Sequence, residues 1–244
     1  MRSLFIGLLL LLTMPAWAVS ESQIAKLVEK APKVKSEAEL PQLVEKLTQN
    51  LKSDEDKAYV LLAWIVNHID YDDYKKNQIE EKMSSRFSRA EVPDSGDILK
   101  TRLGVCADIA DLYQRMLEIA KMKAVVIKGC VGPVDKKKGG CKEDSPGHAW
   151  NGVWMDDQWE LVDPTWAISG VRTNFFSDVS RKQKYEKELK KRERKSAHNY
   201  DKRPGRSVDK QWFMTSPQTM QEDHQPNDKK WLLTRPRDRK NKNL

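Results

Sequence analysis

The order in which hydrophobic periodicity changes along the chain limits its fold most: helical spacing comes first and strand-like runs follow. Leu40, Leu43, Val44, Leu47 and Leu51 recur at i, i+3, i+4 and i+7, the spacing of one helix face. Pro41 sits in the first turns, where a proline does least damage. Ahead of it, Ser36 with Glu39 predicts a capping box. Ser53 begins another helix, with Asp54, Glu55 and Asp56 in the first turn, where they suit the dipole. Ala58, Leu61, Leu62, Ile65 and Ile69 form its buried face, and it ends at Asp70-Tyr71-Asp72. A further helix opens at Gly104-Val105-Cys106, with an apolar stripe of Ile109, Leu112, Tyr113, Met116, Leu117 and Ala120. Residues 20–31 predict a short helix stopped by Pro32, and the polar stretch 75–100, with Pro93 and Gly96, reads as a surface connection. Only then comes a β-branched run, Ala124 to Ile127, followed by two strands, His148 to Met155 and Trp159 to Thr165, around Asp156-Asp157. Helices followed by strands predict an α+β fold, in which N-terminal helices and a cysteine-bearing helix pack on an antiparallel β-sheet.

Composition narrows the class. The 244 residues allow one large domain or two small ones. A charged fraction of 33% excludes a multi-spanning membrane protein, and eight tryptophans exclude wholesale disorder. Residues 1–18 read as a secretory signal peptide. Arg2 is the basic start, Leu4 to Leu12 is an apolar run, and Ala16-Trp17-Ala18 is a small-x-small cleavage site. The run is shorter than the about 20 residues that cross a bilayer core. The mature chain then starts near Val19 in an oxidising compartment, secreted or periplasmic.

The net charge of +8 is unevenly spread. Residues 181–210 hold thirteen Lys/Arg against five Asp/Glu, and the tail 235–244 holds five against one, which leaves the remainder net acidic. Neither basic segment has a recognisable nucleic-acid motif, so no nucleic-acid partner is expected. A solvated linker or helix face accounts for them, as does adhesion to an anionic envelope or wall surface. The domain reading is a catalytic unit at 19–175, a basic linker or insertion at 176–210, a C-terminal element at 211–234 that returns to the body, and a basic tail at 235–244.

Three residues point to chemistry. Cys106 lies at a predicted helix N-terminus, where the dipole and free N–H groups favour an anion such as a thiolate. Those N–H groups can also serve an oxyanion. If a two-residue or four-residue loop joins the last two strands, opposed positions have an odd sum, and His148 and Asp163 then share one face on neighbouring strands. An Asp that orients a His, and a His that takes a thiol proton, form a nucleophile-activating triad.

At these residues the chain resembles the transglutaminase-like (papain-like) superfamily, in its kyphoscoliosis peptidase-type branch. The resemblance rests on Gly104-Val105-Cys106-Ala107, on His148-Ala149-Trp150-Asn151, and on Trp159 through Asp163-Pro164-Thr165-Trp166. Trp64-Ile65 and Ile69 to Asp72 match the helix before the nucleophile. Trp212-Phe213-Met214, Pro217, His224, Pro226 and Trp231-Leu232-Leu233 look like the branch's C-terminal element. It implies a nucleophile at Cys106, a base at His148 and an orienting acid at Asp163, acting on a protein or peptide substrate. The expected reaction is cysteine acyl transfer through a thioester, resolved by water as in a peptidase or by an amine as in a transglutaminase. A non-catalytic binding module on the same fold is the reading from another class. The family's glycine soon after the tryptophan is replaced by Ala167-Ile168-Ser169, which alters the wall of the site.

With Cys106 required free, Cys130 and Cys141 are left to form a disulfide; a bond from Cys106 to either would make an oxidation-gated enzyme. No cofactor or metal is expected, because the Cys and His residues lack zinc-ligand spacing. The acidic groups at 70–73, 94–97 and 108–111 do not fit an EF-hand loop. His68 reads as structural or exposed, His224 as structural, and His198 as solvated.

Overall fold

The computed structural model describes residues 19–84, 97–132, 134–135, 140–141, 145–168 and 206–244, together with positions 187 and 190. The segments read as the signal peptide, 1–18, and most of the basic linker, 176–210, lie outside these residues. α1 (Glu21–Glu29) begins at Ser20, whose hydroxyl accepts the Gln23 N–H while the Gln23 side chain accepts the Ser20 N–H. α2 is Leu40–Thr48 and α3 is Asp54–His68, with the Ser53 hydroxyl accepting the Asp56 N–H at 3.1 Å. The expected Ser36–Glu39 capping box does not form. Ser36 precedes a single 3-10 turn, Glu37–Glu39, without a side-chain bond, and the Glu39 carboxylate accepts the Lys35 N–H instead. The α-helix itself starts only at Leu40, with Pro41 in its first turn, too far along for Ser36 to cap it.

α3 is buried more completely than its sequence stripe predicts. Ala58 through Val66 is one unbroken buried stretch. α1, α2 and α6 (Cys106–Ile119) pack against it, and the C-terminal segment covers what remains. The Tyr59 ring stands edge-on to Phe213 at 5.1 Å, and Asn67 exchanges hydrogen bonds with the Arg206 backbone. A helix covered on all sides must be apolar on all sides.

The stretch 75–100 also departs from its reading as a plain connection. β1 (Asp70–Tyr71) leads into α4 (Asp73–Ser84), and Ile98–Thr101 forms a helical turn, α5. The Asp72 and Asp97 carboxylates accept the Lys75 and Leu99 N–H groups, so caps start these helices where apolar periodicity is weak. β2 (Leu103–Gly104) pairs parallel with β1, and the Asp72 N–H donates to the Gly104 carbonyl at 3.0 Å. The end of α3 is thereby tied to the residues that introduce α6.

β3 (Ala124–Val131) runs longer than the predicted Ala124–Ile127. It continues because it is paired on both sides. β4 (Val134–Asp135) and β5 (Gly140–Cys141) form a small separate ladder, while β6 (Gly147–Met155), β7 (Gln158–Val162) and β8 (His224–Pro226) complete an antiparallel sheet of order β7-β6-β3-β8. Gly129 opposes His148 on one side and Pro226 on the other. A Cβ there would lie 2.1 Å from the Gln225 carbonyl oxygen and 2.6 Å from the Trp150 ring, so only glycine allows this approach. β6 and β7 meet through a two-residue loop, Asp156-Asp157, with both φ values positive, at 47° and 59°. This is the turn whose twist matches a hairpin.

α6 lies on this sheet. Its Ile109, Leu112, Met116 and Leu117 join Ile127, Trp150 and Val153 in one core, and Asn151 donates to the Ala110 carbonyl at 3.0 Å. Trp212, Phe213, Trp231 and Leu233 return to that core. The basic end of the chain lies along β7: the Arg239 guanidinium meets the Glu160 carboxylate at 2.6 Å, and the Trp159 indole donates to the Asn241 carbonyl at 2.8 Å. Ile168 and Val208 form an isolated antiparallel bridge. Among the described residues, no helix is long and apolar enough to cross a membrane.

Candidate active site

Cys106 is the first residue of α6. Val105 before it is extended, and its N–H donates to the Asp108 carboxylate at 3.0 Å. Lys75 holds the same oxygen at 3.0 Å. The β1–β2 pair below and this cap above set the direction in which the helix begins. Cys106 is half-buried and carries the free thiol, while Cys130 and Cys141 are joined as a disulfide with their Cα atoms 6.2 Å apart.

His148 and Asp163 meet because of the hairpin. Met155 opposes Gln158 and Asn151 opposes Val162, so the sums are odd and both side chains fall on one face. The two lie 2.7 Å apart, His148 Nε2 to Asp163 Oδ2, and both are buried. The Asp163 Oδ1 accepts the Thr165 and Trp166 N–H groups at 2.9 and 3.0 Å. Its own N–H donates to the Trp212 carbonyl at 2.9 Å. Every rotation of the carboxylate would break one of these bonds.

Burial by itself would raise the Asp163 carboxyl, but the His148 charge and the hydrogen bonds from His148 and His224 hold it well below the usual carboxylate range. For His148, burial pulls the imidazole down. The Asp163 charge and hydrogen bond outweigh it, aided by a hydrogen bond and charge interaction with Cys106, and push the ring up to about 10. The ring therefore holds a proton at neutral pH. Since Nε2 is engaged by Asp163, Nδ1 is the nitrogen left for the Cys106 sulfur.

His224 was read from the sequence as a structural position, yet it stands inside this cluster. Its Nε2 is 3.0 Å from the same Asp163 Oδ2, and its Nδ1 is 2.5 Å from Asp223 Oδ1. Periodicity could not signal this, because β8 is a three-residue strand far along the chain. His148, Asp163 and His224 are the residues that could gather a metal, with one donor atom each within 4.8 Å of the others among the described residues. The 2.7 and 3.0 Å separations are, however, hydrogen-bond lengths, with one carboxylate oxygen between two ring nitrogens. His68 is structural in its contacts: Nδ1 bonds the Trp64 carbonyl at 2.8 Å and the ring stacks on Trp64. Of the acidic groups, Asp70 pairs with Arg206 at 2.8 Å and Asp111 with Arg115 at 2.9 Å. His198 lies outside the described residues.

The sequence matches the transglutaminase-like superfamily over residues 41–164, a span that contains Cys106, His148 and Asp163. It is 28% identical over 211 residues to the kyphoscoliosis peptidase of Mus musculus, covering 86% of this chain and 27% of that protein. The Homo sapiens kyphoscoliosis peptidase is also 28% identical, over 214 residues, covering 88% of this chain and 27% of that protein. The chain thus spans about a quarter of the length of the curated relatives it matches. Among solved structures, the periplasmic domain of TgpA from Pseudomonas aeruginosa is 22% identical, with a TM-score of 0.39, over 60% of this chain and 48% of that one. The superfamily and branch are those that the motifs around the three residues resemble.

Proposed function

This chain belongs to the transglutaminase-like superfamily, and from that premise we propose that it is an exported cysteine acyl-transfer enzyme that hydrolyses peptide or amide bonds with Cys106, His148 and Asp163. The observation that carries the reading is the buried His148–Asp163 hydrogen bond of 2.7 Å, on an imidazole that the free thiol at the start of α6 also helps to push up.

The chemistry follows from the arrangement. With the Cys106 proton already held on His148, the sulfur attacks the carbonyl carbon of the substrate. The oxygen takes the negative charge beside the backbone N–H groups that open α6. As the tetrahedral species collapses, the carbon–nitrogen bond breaks and His148 returns its proton to the departing amine. The thioester remains. Water attacks it, giving a proton to His148, and the acid is released as the thiol re-forms. Asp163 keeps Nε2 occupied throughout, so that Nδ1 is the nitrogen that exchanges the proton. An amine in place of water would make the same site a transglutaminase. Export is supported by the signal-peptide composition of residues 1–18 and by the Cys130–Cys141 pairing, which suits an oxidising compartment. The basic segment 176–210 would then hold the enzyme at an anionic envelope surface.

The test is a peptide library containing glutamine, incubated with the full chain with and without a primary amine and read by mass spectrometry. Hydrolysed products that vanish in Cys106→Ala, with the thermal midpoint nearly unchanged, are expected. Amine incorporation as the main product would reassign the site to crosslinking. Products in neither arm would point to the binding module.

A further inference from the structure

We propose that His224 is a positioning residue of this site, which fixes the Asp163 carboxylate, and through it the His148 ring, by donating to the oxygen that His148 also uses. The proposal rests on the acyl-transfer reading of Cys106, His148 and Asp163.

Three observations carry it. First, both ring nitrogens of His224 face carboxylate oxygens, Nε2 to Asp163 at 3.0 Å and Nδ1 to Asp223 at 2.5 Å. Second, the ring is fully buried against His148 and the aromatic rings of Trp150, Trp166 and Trp212, with centroids 4.6 to 5.4 Å away. A phenylalanine would fill such a setting with no polar group to satisfy, so space alone does not call for histidine there. Third, Asp163 is wholly buried and needs every acceptor position matched. Oδ1 takes two backbone N–H groups, and Oδ2 takes the two imidazoles. Two donors on Oδ2 leave His148 one direction of approach, and that direction sets where Nδ1 meets the thiol.

The delivery of His224 is equally specific. β8 pairs with β3 through Val131↔His224, Cys130↔Gln225 and Gly129↔Pro226, and the Gly132 N–H donates to the Asp223 carbonyl at 2.8 Å. Both sulfurs of the Cys130–Cys141 bridge lie against the Gln225 carbonyl oxygen, at 3.9 and 4.0 Å. The disulfide therefore braces the strand that presents His224.

The experiment compares His224→Phe, which keeps a ring and removes both donors, with His224→Gln, which keeps an N–H donor. Both are made in the full chain and read by kcat and KM on the hydrolysed peptide, by the pH profile of iodoacetamide alkylation at Cys106, and by the thermal midpoint. Losing a hydrogen bond to a charged group corresponds to about ten- to a hundredfold. His224→Phe should lower kcat by that factor with KM held within about threefold, and should shift the alkylation profile. His224→Gln should recover most of both. Two variants that match the unmodified chain in both readouts would overturn the proposal. So would two variants that fold and lose activity equally, because the donor would then make no difference. If the Phe variant does not fold, Asp223→Asn decides: a drop in kcat or a shifted alkylation profile supports the proposal, and neither change refutes it. The alkylation profile is independent of turnover. If Cys106→Ala retains product formation, the acyl-transfer reading fails, while the effect of His224 on the thiol is still decided.

Discussion

Two imidazoles reach the same oxygen of Asp163 by very different routes. His148 is fifteen residues away in sequence, across one hairpin whose two-residue loop sets the register. His224 is sixty-one residues away, on a strand of three residues held by β3 and braced by a disulfide. The first contact is nearly local: once the turn forms, parity puts both side chains on one face. The second needs a long stretch of chain to close before any bond rewards it, and closure entropy grows with loop length. One region therefore carries its geometry in its own turn, while the other borrows it from a ladder and a crosslink. The proposed chemistry rests on the local pair, and the proposed positioning on the remote one.

The harshest way to break the comparison removes the shared oxygen. Asp163→Asn should lower the rate by about 10⁴-fold, since the imidazole loses the partner that sets its tautomer, and the alkylation rate of Cys106 should change with it. A rate loss below about tenfold would demote Asp163 to a turn residue whose Oδ1 merely caps Thr165 and Trp166. Both regions should suffer from this change, because both histidines donate to it.

Removing the crosslink should separate them. Replacing Cys130 and Cys141 together by serine should cost about 2–3 kcal/mol of stability for a loop of this size. Hydrogen exchange should then accelerate at the amides that tie β3 to the β8 segment, such as Gly132 and Asn227, before it does in β6–β7. Equal loss of protection in both regions would show that the bridge serves the whole sheet and not the strand that carries His224.

The smallest effect is a pH dependence confined to the local pair. Unfolded, the His148 ring titrates near 6.5, and folded it is pushed up to about 10. Its contribution to stability is therefore complete below about pH 6.5 and is lost as the pH rises through about 10. Asp163 works in the opposite sense: its contribution is present above its unfolded value of 3.8 and is lost as the pH falls below it. Thermal midpoints measured from pH 5 to 10 should fall on the alkaline side, and His148→Gln should flatten that limb. An unaltered limb in the variant would mean that other groups set the alkaline response.

Much of this is legible in the sequence. The stripes that became α2 and α6 were readable because each face repeats with the helical period and packs on one side. The hairpin was readable as two strands around Asp156-Asp157, but its loop length was open, and the positive φ values of both residues fix it at two. α3 was only half legible: its ends were clear, but the burial of every face from Ala58 to Val66 depends on Phe213, Arg206 and the other helices arriving around it. α4 was missed because it is polar, and a helix without an apolar stripe has no periodic signature.

What the sequence alone determined is therefore what lies within one repeat length of itself: the order of helices and strands, a turn around Asp156-Asp157, the start of α6 at Cys106, and a parity that aligns His148 with Asp163 once the structure fixes the loop at two residues. Tertiary structure alone decided which distant segment completes the arrangement. It extended β3 so that both edges could pair, laid the basic end of the chain along β7, and brought His224 onto a carboxylate already held by His148. The reason is physical. Local patterns are set by the backbone period, which a short window contains in full. A buried carboxylate is satisfied by whichever donors the closed fold brings to it, and no short window of sequence contains that closure.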